Sequence, residues 1–184
     1  APTEFCHKFN LDEERLAIGL LPGSRQQEID SLLEPLLEAA DLISEQYPKA
    51  HFLLPAAETI DLSKLKARVD NYKSEVKVIE GHSYEVMEAS DLLLSTSGTA
   101  TLEAASFQTP MVIVYQTSWL SYLLGQVLVK VSHVGLPNII AGEEVVPELL
   151  QGEANSEHIA YEAVNILDSP LLQEEIKEEL AHVW

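Results

Sequence analysis

Short apolar runs alternate with helical patterns along the first two thirds of this chain. The runs are rich in Val, Ile and Leu without polar alternation, which is typical of strands buried on both faces of a parallel sheet. Five such alternations predict an α/β fold with a Rossmann-like, doubly wound parallel sheet. The predicted strands are 16–21, 51–54, 76–79, 91–95 and 111–115, and the predicted helices between them are 28–46, 62–71, 84–88 and 99–106.

The length and composition fit one domain. The chain has 184 residues, 46% of them hydrophobic, which is enough for a single core. We expect residues 1–184 to form one domain, with residues 1–10 as a flexible leader. Further helices are predicted at 146–150, 157–167 and 171–182, so that residues 156–184 form the carboxyl-terminal helices.

The charge and the cysteine content of the chain argue against several kinds of partner and site. The formal net charge of -19 argues against nucleic acid, because binding to phosphates needs clustered Lys and Arg. Cys6 is the only cysteine, which excludes an internal disulfide, and the histidines lack the spacing of metal ligands, so no metal is expected. Without a basic leader or a run of 18 uncharged apolar residues, we expect a cytoplasmic protein.

Residues 118–131 are apolar on nearly all sides if they are helical. Such a helix must be covered on more than one side. We favour a core helix; contact with another domain or with a membrane surface at the inner membrane face stays open. A homo-oligomer stays open as well.

Two loops of similar chemistry each follow a predicted strand and precede a predicted helix. The first reads LLPGSR over residues 20–25, and the second reads SGTATLE over residues 97–103. The start of a helix offers unpaired N–H groups and partial positive charge, and glycine lets an anion approach closely. Arg25 adds a guanidinium suited to phosphate oxygens, and Glu103 can accept hydrogen bonds from two sugar hydroxyls.

Loops at the carboxyl ends of parallel strands meet in one crevice, where open α/β sheets bind ligands. The two loops together therefore indicate a nucleotide with a ribose and phosphates. Taken alone, the second loop is also compatible with an ordinary helix start, with Ser97 as N-cap and Glu103 as a solvated acid.

Three segments in order resemble the lipid-A-disaccharide synthases. They are LLPGSR with Glu28 and Ile29 after it, SGTATLE with PMV over 110–112, and LPNIIAG over 136–142 leading into VVPELLQ over 145–151. The resemblance runs from residue 16 to residue 151. It implies a GT-B glycosyltransferase, of which this chain matches the carboxyl-terminal, donor-binding domain, so we expect the amino-terminal acceptor domain to be absent from the chain.

The resemblance also implies a reaction, in which a diacylated glucosamine moves with inversion from UDP to diacylglucosamine 1-phosphate. This hexosyl transfer forms the lipid A disaccharide without a metal or a cofactor. The implied partners are the UDP-sugar donor and, through the other domain, a lipid-linked sugar phosphate acceptor. No catalytic residue is assigned, and the chain alone is expected to be inactive.

The implied donor site combines the two loops with two further positions. Glu103 holds the ribose, while Gly81 and His82 face the uracil. The residues expected around the diphosphate are Gly23, Ser24, Arg25, Ser97, Gly98, Thr99 and Asn138.

Two residues depart from the family's pattern. Gln116 stands where the family tends to carry a basic residue, and Glu143 stands where it tends to carry an Arg. Both departures put in question which acceptor is used and whether the protein is fully active. Two other classes therefore stay open: the same half of a UDP-sugar epimerase, against which an exposed apolar face over 119–131 would count, and a non-catalytic nucleotide-binding scaffold.

Overall fold

The computed structural model describes residues 2–116 and 133–184, and it contains one six-stranded parallel sheet. The strand order is β3-β2-β1-β4-β5-β6, so the order reverses between β1 and β4. This is the doubly wound arrangement that the alternating pattern predicts. The strands are β1 (Ala17–Leu21), β2 (His51–Ala56), β3 (Val76–Glu80), β4 (Leu92–Thr96), β5 (Met111–Tyr115) and β6 (Glu148–Leu150).

Helices cover both faces of the sheet. Successive residues of a strand point to opposite faces, and on β2 Phe52 and Leu54 belong to one apolar cluster while Leu53 belongs to another. The described helices are α1 (Pro2–Lys8), α2 (Gln26–Gln46), α3 (Leu62–Val69), α4 (Ser83–Ala89), α5 (Thr99–Ser106), α6 (Leu136–Ala141), α7 (Ser156–Leu167) and α8 (Pro170–Val183), with a 3-10 turn at Gln151–Glu153.

The five predicted strands and the helices between them are confirmed, with small shifts at their ends. The prediction of a helix at 146–150 is wrong, because Glu148–Leu150 is β6 and pairs in parallel with β5. Periodicity alone cannot separate a short apolar run in a strand from one in a helix. Here the carbonyl of Pro147 accepts a hydrogen bond from the N–H of Ile113, which ties the run to the sheet.

The expectation of a flexible leader at residues 1–10 is also corrected. Residues 2–8 form α1, which packs on α4. Phe5 and Cys6 are buried, and the rings of Phe5 and Phe9 lie 4.9 Å apart. An apolar face one helical turn long is therefore enough to dock this segment.

Two predictions from the sequence concern contact with a membrane. The apolar segment at 118–131 lies outside the described residues. Among the helices that are described, none has the length and apolar character needed to cross a bilayer.

Candidate nucleotide-binding site

A crevice of about 440 Å³ opens where the strand order reverses, at the carboxyl ends of β1 and β4. Both loops singled out in the sequence line it, the first through Gly23, Ser24 and Arg25 and the second through Ser97, Gly98 and Thr99. Its volume lies within the range of small-molecule sites. The prediction that the two loops share one crevice is therefore confirmed.

The start of α5 is open toward this crevice. Gly98 is its N-cap, with a φ of 152° that residues carrying a Cβ rarely adopt, and a Cβ placed there would meet nothing within 4 Å. No side chain of the described residues caps this helix start. The backbone N–H groups of Thr99 and Ala100 are thus available to an anion in the crevice, whereas that of Thr101 donates to the carbonyl of Gly98 at 3.1 Å.

The hydroxyls of the second loop differ in what they can offer. The Ser97 hydroxyl donates to the carbonyl of Val134 at 3.0 Å, and the Thr101 hydroxyl donates to the carbonyl of Gly98 at 2.6 Å. Both donors are therefore engaged within the protein. Thr99 is exposed at the helix start and lines the crevice, so its hydroxyl is the one best placed to donate to a ligand.

The start of α2, by contrast, already holds a negative charge. The Glu28 carboxylate accepts hydrogen bonds through Oε2 from the backbone N–H groups of Ser24 at 3.0 Å and Arg25 at 3.2 Å. Its Oε1 lies 3.3 Å from Nη1 of Arg25. The backbone donors expected from the first loop are thus occupied by an internal carboxylate, whereas the Arg25 side chain is 82% exposed beside the crevice.

Glu103 also lines the crevice and is held by a second helix. Its Oε1 accepts a hydrogen bond at 3.0 Å from the hydroxyl of Tyr84, which lies in the first turn of α4. This hydrogen bond, together with the negative charge of the carboxylate, raises the pKa of Tyr84 above its ordinary value of 10.0. Tyr84 therefore remains a protonated donor at neutral pH.

The structure does not bring His82 or Gly81 into the crevice lining, so the uracil assignment is not supported by their position. The Nζ of Lys8 lies 2.9 Å from Nε2 of His82, and Nδ1 of His82 lies 2.9 Å from Oε1 of Glu85. The imidazole also lies edge-on to Phe9. His82 has a left-handed backbone that turns its side chain toward α1, and Ser83 and Met87 line the crevice instead.

Asn138 does not line this crevice, and its assignment to the diphosphate pocket stays a prediction. It is fully buried, and its Nδ2 donates to the carbonyl of Val146 and to Oε1 of Glu148, both at 2.8 Å. Its Oδ1 accepts from the N–H groups of Val145 at 2.8 Å and Val146 at 3.0 Å. The side chain therefore uses both donors and its acceptor to join α6 to the segment that leads into β6.

The two residues that depart from the family pattern lie outside the crevice lining. Gln116 is exposed and reaches the carbonyl of Gln151 at 3.5 Å, and Glu143 is exposed after α6. Within residues 2–116 and 133–184, no cluster of three or more His, Cys, Asp or Glu side chains is arranged to hold a metal ion.

Sequence reasoning missed the roles of Glu28 and Tyr84. The spacing of Glu28 from Arg25 is that of a capping box, in which the third residue of a helix reaches back to the N-cap backbone, and this signal could have indicated its position. Nothing in the sequence indicates the contact of Tyr84 with Glu103, because the two residues lie on different helices that β4 separates along the chain.

Comparison with known proteins identifies the family of this chain. A family model described as lipid-A-disaccharide synthetase matches residues 2–182. The chain belongs to the lipid-A-disaccharide synthase family. The family match confirms the resemblance drawn from the three motifs and favours a glycosyltransferase domain of lipid A biosynthesis over an epimerase.

Curated relatives support the family assignment. The chain is 42% identical over 181 residues to the lipid-A-disaccharide synthase of Syntrophus aciditrophicus, covering 98% of this chain and 47% of the relative. It is 48% identical over 150 residues to that of Nitrosococcus oceani, covering 82% of this chain and 39% of the relative. The chain thus spans less than half the length of these relatives.

Solved structures show the fold alone, because their sequence identity is low. WaaG, a glycosyltransferase involved in lipopolysaccharide biosynthesis, aligns with a TM-score of 0.68 at 16% identity, covering 98% of this chain and 45% of that one. The UDP-GlcNAc 2-epimerase of Neisseria meningitidis, bound to UDP-GlcNAc, aligns with a TM-score of 0.61 at 14% identity, covering 95% and 43%. Since transferases and epimerases share the fold, the family match rather than the fold separates them.

Proposed function

We propose that this chain is the donor-binding part of a lipid-A-disaccharide synthase, which binds the UDP of UDP-diacylglucosamine. In the whole protein, the diacylglucosamine is transferred with inversion to diacylglucosamine 1-phosphate. The observation that carries the proposal is the uncapped start of α5 at Gly98, which faces a crevice shared with the Arg25 guanidinium and the Glu103 carboxylate.

The diphosphate is assigned to the start of α5. The N–H groups beside Gly98 and the hydroxyl of Thr99 donate to phosphate oxygens, and Ser97 shapes the turn through its hydrogen bond to Val134. Arg25 approaches from the other loop, where Gly23 and Ser24 form the wall of the crevice. Because the chain carries a net charge of -19, these local donors must hold an anion against an unfavourable overall field.

The same groups would stabilise the departing UDP without a metal ion. Charge develops on the diphosphate as the glycosidic bond breaks, and fixed N–H dipoles with a guanidinium stabilise that charge. Glu103 is assigned to the ribose hydroxyls, next to the diphosphate on the same helix.

The general base for the acceptor hydroxyl is proposed to lie in the part of the protein that this chain does not cover. Among the described residues that line the crevice, the carboxylates are Glu28 and Glu103. Glu28 is engaged by its own loop, and Glu103 is assigned to the ribose. A base must lie within hydrogen-bond reach of the acceptor, across the cleft from the donor sugar. Since donor and acceptor both carry acyl chains, we propose that transfer takes place at the cytoplasmic face of the inner membrane.

Calorimetry with UDP and UMP tests the proposal. UDP should bind about tenfold or more tightly than UMP, because one charge-assisted hydrogen bond to the second phosphate is worth roughly 1.5–3 kcal/mol. The affinity should be the same with and without EDTA. Equal affinities for the two nucleotides would contradict a diphosphate site, and loss of binding in EDTA would contradict a metal-free one.

A further inference from the structure

The contact between Tyr84 and Glu103 is not explained by burial. The Tyr84 side chain belongs to a residue that is 55% exposed, so water can satisfy its hydroxyl. It donates nevertheless to Oε1 of Glu103 at 3.0 Å, across the gap between α4 and α5. This hydrogen bond favours one orientation of the Glu103 carboxylate.

The position of Tyr84 is itself fixed by its neighbours. Ser83 and Met87, on the same helix, line the crevice, and α4 packs against α5. The ring of Phe107, just beyond the end of α5, lies 6.4 Å from the Tyr84 ring at an angle of 59°. Tyr84 thus contacts Glu103, which lines the crevice, and does not itself line the cavity.

The hydrogen bond leaves the carboxylate of Glu103 able to accept at least two more. An ionised carboxylate has about four acceptor positions on its two oxygens. Oε1 uses one of them for Tyr84, and Oε2 has no hydrogen-bond partner among the residues described. A ribose presents two adjacent hydroxyls, which match the two oxygens of one carboxylate.

We propose that Tyr84 is a positioning residue that holds the Glu103 carboxylate in the orientation needed to accept hydrogen bonds from both ribose hydroxyls. This inference rests on the proposed function, because it takes the ligand of the crevice to be a ribonucleotide. It adds a specificity: the crevice distinguishes UDP from 2′-deoxy-UDP, and that distinction depends on a residue that does not touch the nucleotide.

Preorganisation is the physical reason for this effect. A glutamate side chain has several rotatable bonds, and ordering it when a ligand binds reduces the affinity. In this chain the Tyr84 hydroxyl orders the side chain beforehand. Removing that hydroxyl should therefore weaken UDP, which uses both ribose hydroxyls, more than 2′-deoxy-UDP, which offers one.

The test compares the dissociation constants of UDP and 2′-deoxy-UDP for the wild-type chain and for Tyr84→Phe, Glu103→Gln and the double variant. The wild-type chain should bind UDP about tenfold more tightly than 2′-deoxy-UDP. In Tyr84→Phe this ratio should fall to about threefold, and in Glu103→Gln it should approach one. Tyr161→Phe is the matched control, since Tyr161 is 68% exposed on α7, and its ratio should equal the wild-type value.

The double variant separates positioning from direct contact. If Tyr84 acts through Glu103, the double variant should bind both nucleotides as Glu103→Gln does. A Tyr84→Phe ratio equal to that of the wild type, or a further loss in the double variant, would overturn the positioning role while leaving UDP binding intact. Failure of the wild-type chain to bind UDP would instead overturn the proposed function together with this inference.

Discussion

The side chain of Glu28 lies directly over Gly23. A Cβ atom placed on Gly23 would lie 2.5 Å from the Cβ of Glu28, and it would overlap the carboxylate as well. The first loop of the crevice is therefore built around an internal carboxylate that binds the N–H groups of Ser24 and Arg25. This packing explains why a glycine stands at position 23, where φ is +123°.

Gly23→Ala should destabilise the chain. The substitution adds a Cβ at a backbone conformation that other residues rarely adopt and pushes against Glu28, so we expect a loss of about 1–3 kcal/mol in the free energy of unfolding. Urea denaturation followed by circular dichroism measures it.

Gly152→Ala is the matched control for this substitution. A Cβ at Gly152 would meet nothing within 4 Å, and the stability should change by about 0.5 kcal/mol or less. A Gly23→Ala variant as stable as Gly152→Ala would show that Glu28 does not restrict position 23.

Arg25→Ala should weaken UDP binding by about 1.5–3 kcal/mol, the usual value of a hydrogen bond to a charged group. The guanidinium is exposed beside the crevice, and its contact with Glu28 at 3.3 Å is long, so it can turn to a phosphate. Calorimetry measures the change. Lys66→Ala, which removes an exposed positive charge on α3, should bind UDP as the wild type does. If both variants bind equally well, Arg25 is not part of the site.

The fold was predictable because it rests on local periodicity. Each buried strand is a short apolar run and each helix has its own apolar spacing, so element type follows from a few neighbouring residues. Two segments were misread for the same reason. In residues 146–150 a short apolar run fits either structure, and in residues 2–8 a single apolar turn docks only because α4 offers Val86 to pack on.

The site was predictable only in part. Glycine and hydroxyl residues after a strand indicate a phosphate loop from sequence alone. Which hydrogen-bond donors remain free for a ligand is harder to predict, because it depends on the contacts between side chains in the folded chain. Glu28 occupies the first loop, and Asn138 turns away to join Val146 and Glu148. The contact of Glu28 leaves the spacing of a capping box in the sequence, whereas the contacts of Asn138 are set by tertiary packing and leave no such signal.

His51 should make the stability of the chain depend on pH near neutrality. Burial, and then the positive charges of Arg15 and Lys77, hold the pKa of its imidazole below the ordinary value of 6.5. The unfolded chain takes up a proton near pH 6.5 and the folded chain does so only at lower pH. Its stabilising contribution is therefore complete above pH 6.5 and is lost as the pH falls through the folded value.

The free energy of unfolding should accordingly decrease between pH 7.5 and 5.5 more steeply in the wild type than in His51→Gln. Urea denaturation at several pH values gives the slopes, whatever the overall stability of the variant. His7→Gln, at an exposed position of α1, should keep the wild-type slope. Equal slopes for the wild type and His51→Gln would show that His51 titrates alike in both states.

The purified 184-residue chain should bind UDP without transferring a sugar, because donor binding supplies only part of the mechanism. Transfer needs a base within reach of the acceptor hydroxyl and an acceptor held in line with the donor sugar. The part of the Syntrophus aciditrophicus relative that this chain does not cover is the natural complement, since the covered part is 42% identical. Joined to this chain, it should restore formation of the disaccharide from UDP-diacylglucosamine and diacylglucosamine 1-phosphate. Chromatography of the lipid product measures this activity. The same chimera carrying Glu103→Gln should bind UDP more weakly and transfer more slowly. Disaccharide formed by the isolated chain would require a base among its own residues, and a folded chimera that binds UDP but never transfers would favour the scaffold class over a transferase.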